Sequence, residues 1–79
     1  MAKILIIDDE RAIRRALREI LEFEGFTVDE AENGKEGVEK ASSVTYDMIF
    51  CDIKMPLMDG MEVLDELQKA KVETPVIMI

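Results

Sequence analysis

Two apolar runs in this chain are too short for helices, and both end in carboxylates. Ile4-Leu5-Ile6-Ile7 leads into Asp8-Asp9-Glu10, and Met48-Ile49-Phe50-Cys51 leads into Asp52. A short, continuously apolar run fits a strand covered on both faces. Strands of that kind belong to parallel sheets, where the chain returns to the starting edge through a crossover, usually a helix. The sequence between the runs has helical spacing, which narrows the fold to alternating strands and helices.

Taken in order, Lys3 to Ile7 reads as the first strand. Asp8 or Asp9 is expected to cap a helix in which Ala12, Ile13, Ala16, Leu17, Ile20 and Leu21 recur at helical spacing. Arg11, Arg14, Arg15, Arg18 and Glu19 fall on its other side. Gly25 stops this helix, and Phe26 begins the next segment. Thr27 to Ala31 gives a short second strand. Asn33-Gly34 carries a hairpin signal, but the helical pattern of Lys35 to Ala41 favours Asn33 as an N-cap with Glu36 as its capping-box partner. Ser42 to Tyr46 reads as a loop and Met48 to Asp52 as a third buried strand. Met61 to Ala70 reads as a third helix, with Met61, Leu64 and Leu67 inward and Glu62, Asp65, Glu66 and Lys69 outward. Val76 to Ile79 is a last strand, and Pro75 fits its first position, where no ladder donor is needed. The alternation predicts a parallel sheet with helices on both faces and right-handed crossovers.

The 79 residues carry no internal repeat, low-complexity segment or linker, and fit one small domain with a marginal core. A chain that is 48% hydrophobic and 35% charged is globular rather than disordered. A net charge of −8 speaks against nucleic acid and anionic membranes, and points to a basic partner face or a cation. The absence of His removes the usual zinc ligand and the usual general base. Cys51 stands alone, so no disulfide framework or thiolate metal set exists. Inside an apolar run it reads as a small buried hydrophobe rather than a reactive thiol, which needs exposure and nearby positive charge. No stretch approaches the roughly 20 apolar residues of a membrane span. Lys3 to Ile7 is too short for a signal peptide and meets Asp8 at once, so a cytoplasmic location is expected.

In open parallel sheets, ligands gather beyond the carboxyl ends of the strands, where the strand order reverses. If the first and third strands are neighbours, Asp8, Asp9 and Asp52 converge. Carboxylates so close raise one another's pKa unless a cation sits among them. Hard oxygen ligands with open positions suit Mg2+. A carboxylate neutralised in this way is a plausible phosphoryl acceptor. Simpler readings stand beside this one. Asp8-Asp9-Glu10 also reads as a helix N-terminus with dipole-favourable acids, and Pro56 to Gly60 as a tight turn before a helix. Two apolar strands that each end in Asp, followed by this turn, weigh the balance toward the joint site.

Those residues are similar to the receiver domain of bacterial two-component response regulators. The resemblance is carried by Ile4 to Glu10, by Gly25-Phe26-Thr27-Val28, by Ala31-Glu32-Asn33-Gly34 and by Thr74 to Ile79. Most specific is Asp47 to Gly60, with its Asp-x-x-Met-Pro-x-Met-Asp-Gly signature beginning at Asp52. The resemblance covers the whole chain and implies an α/β, flavodoxin-like parallel sheet of strand order 2-1-3-4. It implies Asp52 as phosphoacceptor, and Mg2+ held by Asp9, by Asp52, by the backbone carbonyl of Lys54 and by Asp8 through water. It places the Lys54 side chain where the family tunes dephosphorylation, although a solvated loop lysine explains that residue equally well. The implied partner of the intact parent protein is a histidine kinase or phosphotransfer protein.

The resemblance also sets out what these residues lack. A complete receiver has five strands and five helices, and here four strands and three helices are read. Ile79 falls just before the Ser or Thr that senses the phosphoryl group in the family. The Lys and aromatic switch residue of the fifth strand lie outside the match, as do the last two helices. On this reading the chain is a receiver fragment, cut from a longer protein by preference, with impaired switching. An open sheet edge and an uncovered apolar face then lead to an expectation of self-association into a homo-oligomer. The alternative function is a half-fold that assembles without switching. An enzyme such as an Asp-nucleophile phosphatase is disfavoured, because it needs a second acid two residues after the nucleophile, where Lys54 stands.

Overall fold

The computed structural model of the chain describes residues 2–79. Four strands and three helices alternate: β1 Lys3–Ile7, α1 Arg11–Phe23, β2 Thr27–Ala31, α2 Gly34–Ser43, β3 Met48–Cys51, α3 Gly60–Lys69 and β4 Val76–Met78. The strands form one parallel sheet of order β2-β1-β3-β4, as expected. Ile4 pairs with Val28 on one side and Met48 on the other, and Ile49 pairs with Val76.

Successive strand residues face opposite sides of a sheet, and the core divides accordingly. Leu5, Ile7, Ala31, Ile49 and Cys51 meet Ala41, Val63 and Leu67 of α2 and α3. Ile4, Ile6 and Val28 meet Leu17 and Leu21 of α1. Leu5, Ile6, Ile7 and Ile49 are wholly buried, which stabilises the fold by about 2 kcal/mol per side chain. α2 lies so close to β1 that a Cβ on Gly37 would fall 2.5 Å from Ile7 Cδ1.

Helix ends follow their local chemistry. Gly25, with φ of +94°, closes α1: its N–H donates to the Glu22 carbonyl at 3.0 Å, and the Phe26 N–H to that of Leu21 at 3.0 Å. That is the two-bond terminus a left-handed residue permits. α3 ends identically, with Lys71 at φ of +59° and bonds from Lys71 to Gln68 and from Val72 to Leu67. The Asn33 side chain caps α2 by accepting from the Glu36 N–H at 2.8 Å. The reciprocal half of the capping box is replaced, since Glu36 pairs with Lys40 at 3.2 Å.

Several expectations are corrected. Neither Asp8 nor Asp9 caps α1; Glu10 holds the N-cap position, without a side-chain bond. Arg14, assigned to the solvent side of α1, is its buried residue, while Ile13 and Ile20 are 40% and 61% exposed. The sheet-facing stripe is Arg14, Leu17 and Leu21, spaced three and four apart. Ser42 and Ser43 extend α2 rather than starting the loop, because their hydroxyls donate to the Val38 and Glu39 carbonyls one turn back. In α3, Met61 is exposed and Val63 is buried beside Leu67.

Candidate functional site

Register builds the site. Ile7 pairs with Cys51 across β1 and β3, so the residues that follow, Asp8 and Asp52, emerge side by side. The ladder continues one step past the strands, with the Asp52 N–H donating to the Ile7 carbonyl at 2.9 Å and the Asp8 N–H to that of Ala31 at 3.1 Å. One carboxylate oxygen each from Asp8, Asp9 and Asp52 can be chosen so that all lie within 4.8 Å of one another. Asp8 is buried, Asp52 is half-buried and Asp9 is exposed.

The segment after Asp52 turns back on itself. The Lys54 N–H reaches Asp52 Oδ1 at 3.3 Å, while the Lys54 side chain is exposed and in no ion pair among the described residues. Leu57 adopts φ of +70°, the Met58 N–H donates to the Pro56 carbonyl at 2.8 Å, and the Gly60 N–H returns to the Ile53 carbonyl at 2.8 Å. A Cβ on Gly60 would stand 2.6 Å from the Asp52 carbonyl oxygen, so only glycine allows this approach. Asp59 caps α3 by accepting from the Glu62 N–H at 2.9 Å. The tight-turn reading of Pro56 to Gly60 therefore holds, and the same turn sets the backbone around Asp52.

On the other side, Asp8 Oδ1 accepts from the Glu10 N–H at 2.8 Å, and the Asp8 carbonyl accepts from the Arg14 guanidinium at 2.6 Å. Arg14 Nε donates to Glu30 Oε1 at 3.0 Å, and Arg18 donates to Glu30 Oε2 at 2.5 Å. The Arg18 hydrogen bond, joined by that of Arg14, holds the Glu30 carboxyl below its ordinary range despite partial burial. Arg14 was missed as a site neighbour, although its spacing from Leu17 and Leu21 marks it as sheet-facing.

Electrostatics favour a cation here. Burial raises the Asp8 carboxyl, and the charges of Asp52, Asp9 and Glu10 add to the rise, against the Glu10 N–H that favours the anion. Among the described residues no Lys or Arg nitrogen forms an ion pair with any of the three carboxylates. An all-oxygen set, one member buried and none neutralised, fits a hard divalent ion. Cys51, wholly buried beneath this cluster, has its thiol pushed up to about 11 by burial and then by the charges of Asp52, Asp8 and Asp59. It is the inert hydrophobe that its sequence position indicated.

Known proteins are similar to this chain in sequence and in fold. A transcriptional regulatory protein of Bacillus subtilis strain 168, ResD, is 48% identical over 77 residues, covering 98% of this chain and 32% of that protein. The regulatory protein SrrA of Staphylococcus aureus strain NCTC 8325 is 46% identical, with the same coverage. The chain thus spans about a third of the length of these relatives. Among solved structures, the response regulator TrrA of Thermotoga maritima in complex with Mg2+-BeF superposes with a TM-score of 0.92 at 44% identity, over 99% of this chain and 67% of that one. A complex of the histidine kinase ThkA with TrrA matches with a TM-score of 0.90 at 44% identity, with the same coverage. The family model for the response regulator receiver domain matches residues 4–79. With its strand order and its acidic strand ends, the chain belongs to the receiver domain family of two-component response regulators.

Proposed function

We propose that residues 1–79 form a single phosphoacceptor module in which Asp52 is loaded and Asp8 and Asp9 serve the loading. One observation carries this reading: three carboxylates without an ion-pair partner among the described residues converge at the ends of the adjacent strands β1 and β3. Asp9, Asp52 and the Lys54 backbone carbonyl would hold Mg2+ directly, and Asp8 through water. The ion would neutralise the cluster and the charge of an incoming phosphoryl group. An Asp52 carboxylate oxygen attacks the phosphorus of a phosphohistidine, a P–O bond forms, the P–N bond breaks, and the imidazole of the donor protein leaves with the electron pair. Asp52 acts as a stoichiometric acceptor, and Lys54 at the second-acid position argues against a phosphatase. The complexes of TrrA with Mg2+-BeF and with a histidine kinase support the ion and the donor class. We place the module in the cytoplasm without a nucleic-acid or membrane contact of its own; no helix is long and apolar enough to cross a membrane. Mass spectrometry after incubation with a small acyl phosphate and Mg2+ tests the reading. One added phosphoryl group is expected on the wild type and none on Asp52→Asn or with chelator, and an unmodified wild type overturns it.

A second reading concerns the partner of these 79 residues alone. Ile13, Ile20 and Phe23 of α1 are exposed, as are Ile77 and Ile79, and Ile77 lies opposite half-buried Phe50, which packs on the α1 side of the sheet. α1 carries its charges against its own dipole, with Arg11 and Arg15 near the start and Glu22 and Glu24 at the end. A second copy with α1 antiparallel brings unlike charges together around that apolar surface. Self-association is the expected state, and a monomer in sedimentation velocity across micromolar concentrations overturns it.

A further inference from the structure

We propose that Arg14 is a positioning residue of the carboxylate cluster, an inference that rests on the metal-loading reading above. Arg14 is 9% exposed and stands on the stripe of α1 that faces the sheet, where an apolar side chain would pack without desolvating a charge. Its guanidinium spans two elements, donating to the Asp8 carbonyl at 2.6 Å and to Glu30 of β2 at 3.0 Å. Arg18 holds the far oxygen of Glu30, so the fork is fixed at both ends.

The consequence for the site runs through one peptide plane. The Asp8 carbonyl and the Asp9 N–H belong to the same rigid unit, so holding the carbonyl sets the direction from which Asp9 leaves β1. The Asp8 N–H is bound to Ala31 and its carboxylate to the Glu10 N–H, which leaves the carbonyl as the remaining polar group to be held. Arg14 thus orients both acids through the backbone, without touching either carboxylate. A buried carbonyl stripped of its donor is unfavourable, and the Asp8–Asp9 peptide relieves that cost by rotating toward water.

Simple electrostatics and positioning predict opposite signs. Removing a cation near a metal site should strengthen Mg2+ binding by reducing repulsion. Removing an orienting hydrogen bond behind the ligands should weaken it by about 10- to 100-fold. Calorimetric Mg2+ titration of wild type, Arg14→Met, Arg14→Lys, Glu30→Gln and Asp9→Asn, each below its own melting temperature, decides between them. Weakened binding in Arg14→Met, with Arg14→Lys between it and wild type, and a shifted Asp9 amide 15N resonance without metal, is the expected result. Unchanged or tighter binding in Arg14→Met, while Asp9→Asn is weakened, overturns the inference and leaves the metal-loading reading intact. If Arg14→Met does not fold, Glu30→Gln carries the test, and an unmoved Asp9 amide with wild-type affinity overturns the inference. A wild type that binds no Mg2+, or an Asp9→Asn that binds as wild type, overturns the underlying reading and this inference with it.

Discussion

Burial raises the Asp8 carboxyl above its ordinary 3.8, and the charges of Asp52, Asp9 and Glu10 push it the same way. A carboxyl whose pKa is raised by folding binds its proton more tightly in the folded state than in the unfolded chain. Both forms are protonated below the unfolded value near 4, so the residue imposes no penalty there. As pH rises through the raised folded value, ionisation in the fold becomes costly and stability falls. Asp8→Asn removes that penalty, and its Oδ1 can still accept from the Glu10 N–H. Without metal the variant should melt a few degrees higher than wild type at pH 7, with the gain vanishing toward pH 4. Saturating Mg2+ should raise the wild-type melting temperature more than that of the variant. Thermal melts monitored by circular dichroism at several pH values check both statements, and an unchanged or lower melting temperature for the metal-free variant contradicts them.

At the scale of elements, the ends of α1 and α3 use the same two-bond terminus with different residues. Gly25 takes the left-handed position freely, whereas Lys71 takes it with a Cβ. Gly25→Ala should therefore destabilise the fold by about 1 kcal/mol, and Lys71→Gly should stabilise it by up to about 1 kcal/mol. Urea titration reads both, and equal effects of the same sign would show that the two ends are not equivalent. The same comparison shows where sequence reading works. Gly25 announces its helix end by composition, while Lys71 is silent, since nothing about a lysine marks positive φ. The alternation of strands and helices was legible in the residues themselves, whereas the strand order, and with it the meeting of Asp8, Asp9 and Asp52, followed from the family resemblance. The burial of Arg14 was overlooked although its spacing from Leu17 and Leu21 signals it, because sorting a helix by polarity assigns every cation to solvent. Val63 in place of Met61 was missed for a related reason: both are apolar, and only the start of α3 at Gly60 decides which one faces inward.

For the whole molecule, the α1 side of the sheet has one helix and the other side has two. Ile20→Lys with Ile77→Lys places two charges on residues that are 61% and 42% exposed. Such surface positions tolerate polar side chains with little loss of monomer stability, so the double variant should sediment as monomer where the wild type self-associates. Equal sedimentation of the two proteins would place the contact elsewhere. The sheet order has a separate consequence for how the chain is made. Lys3 bonds to Asp47 across a separation of 44 residues, and Ile4 lies opposite Met48. A ribosome releasing this chain sets β1 free long before β3 has left the exit tunnel, with β2 as its only available neighbour. The strand that the finished fold buries most completely, with Ile4 to Ile7 all buried, thus spends much of synthesis half-covered, and parallel pairings of such long range close slowly. Nascent chains shorter than β3 are therefore the ones a chaperone that reads exposed aliphatic strands would hold.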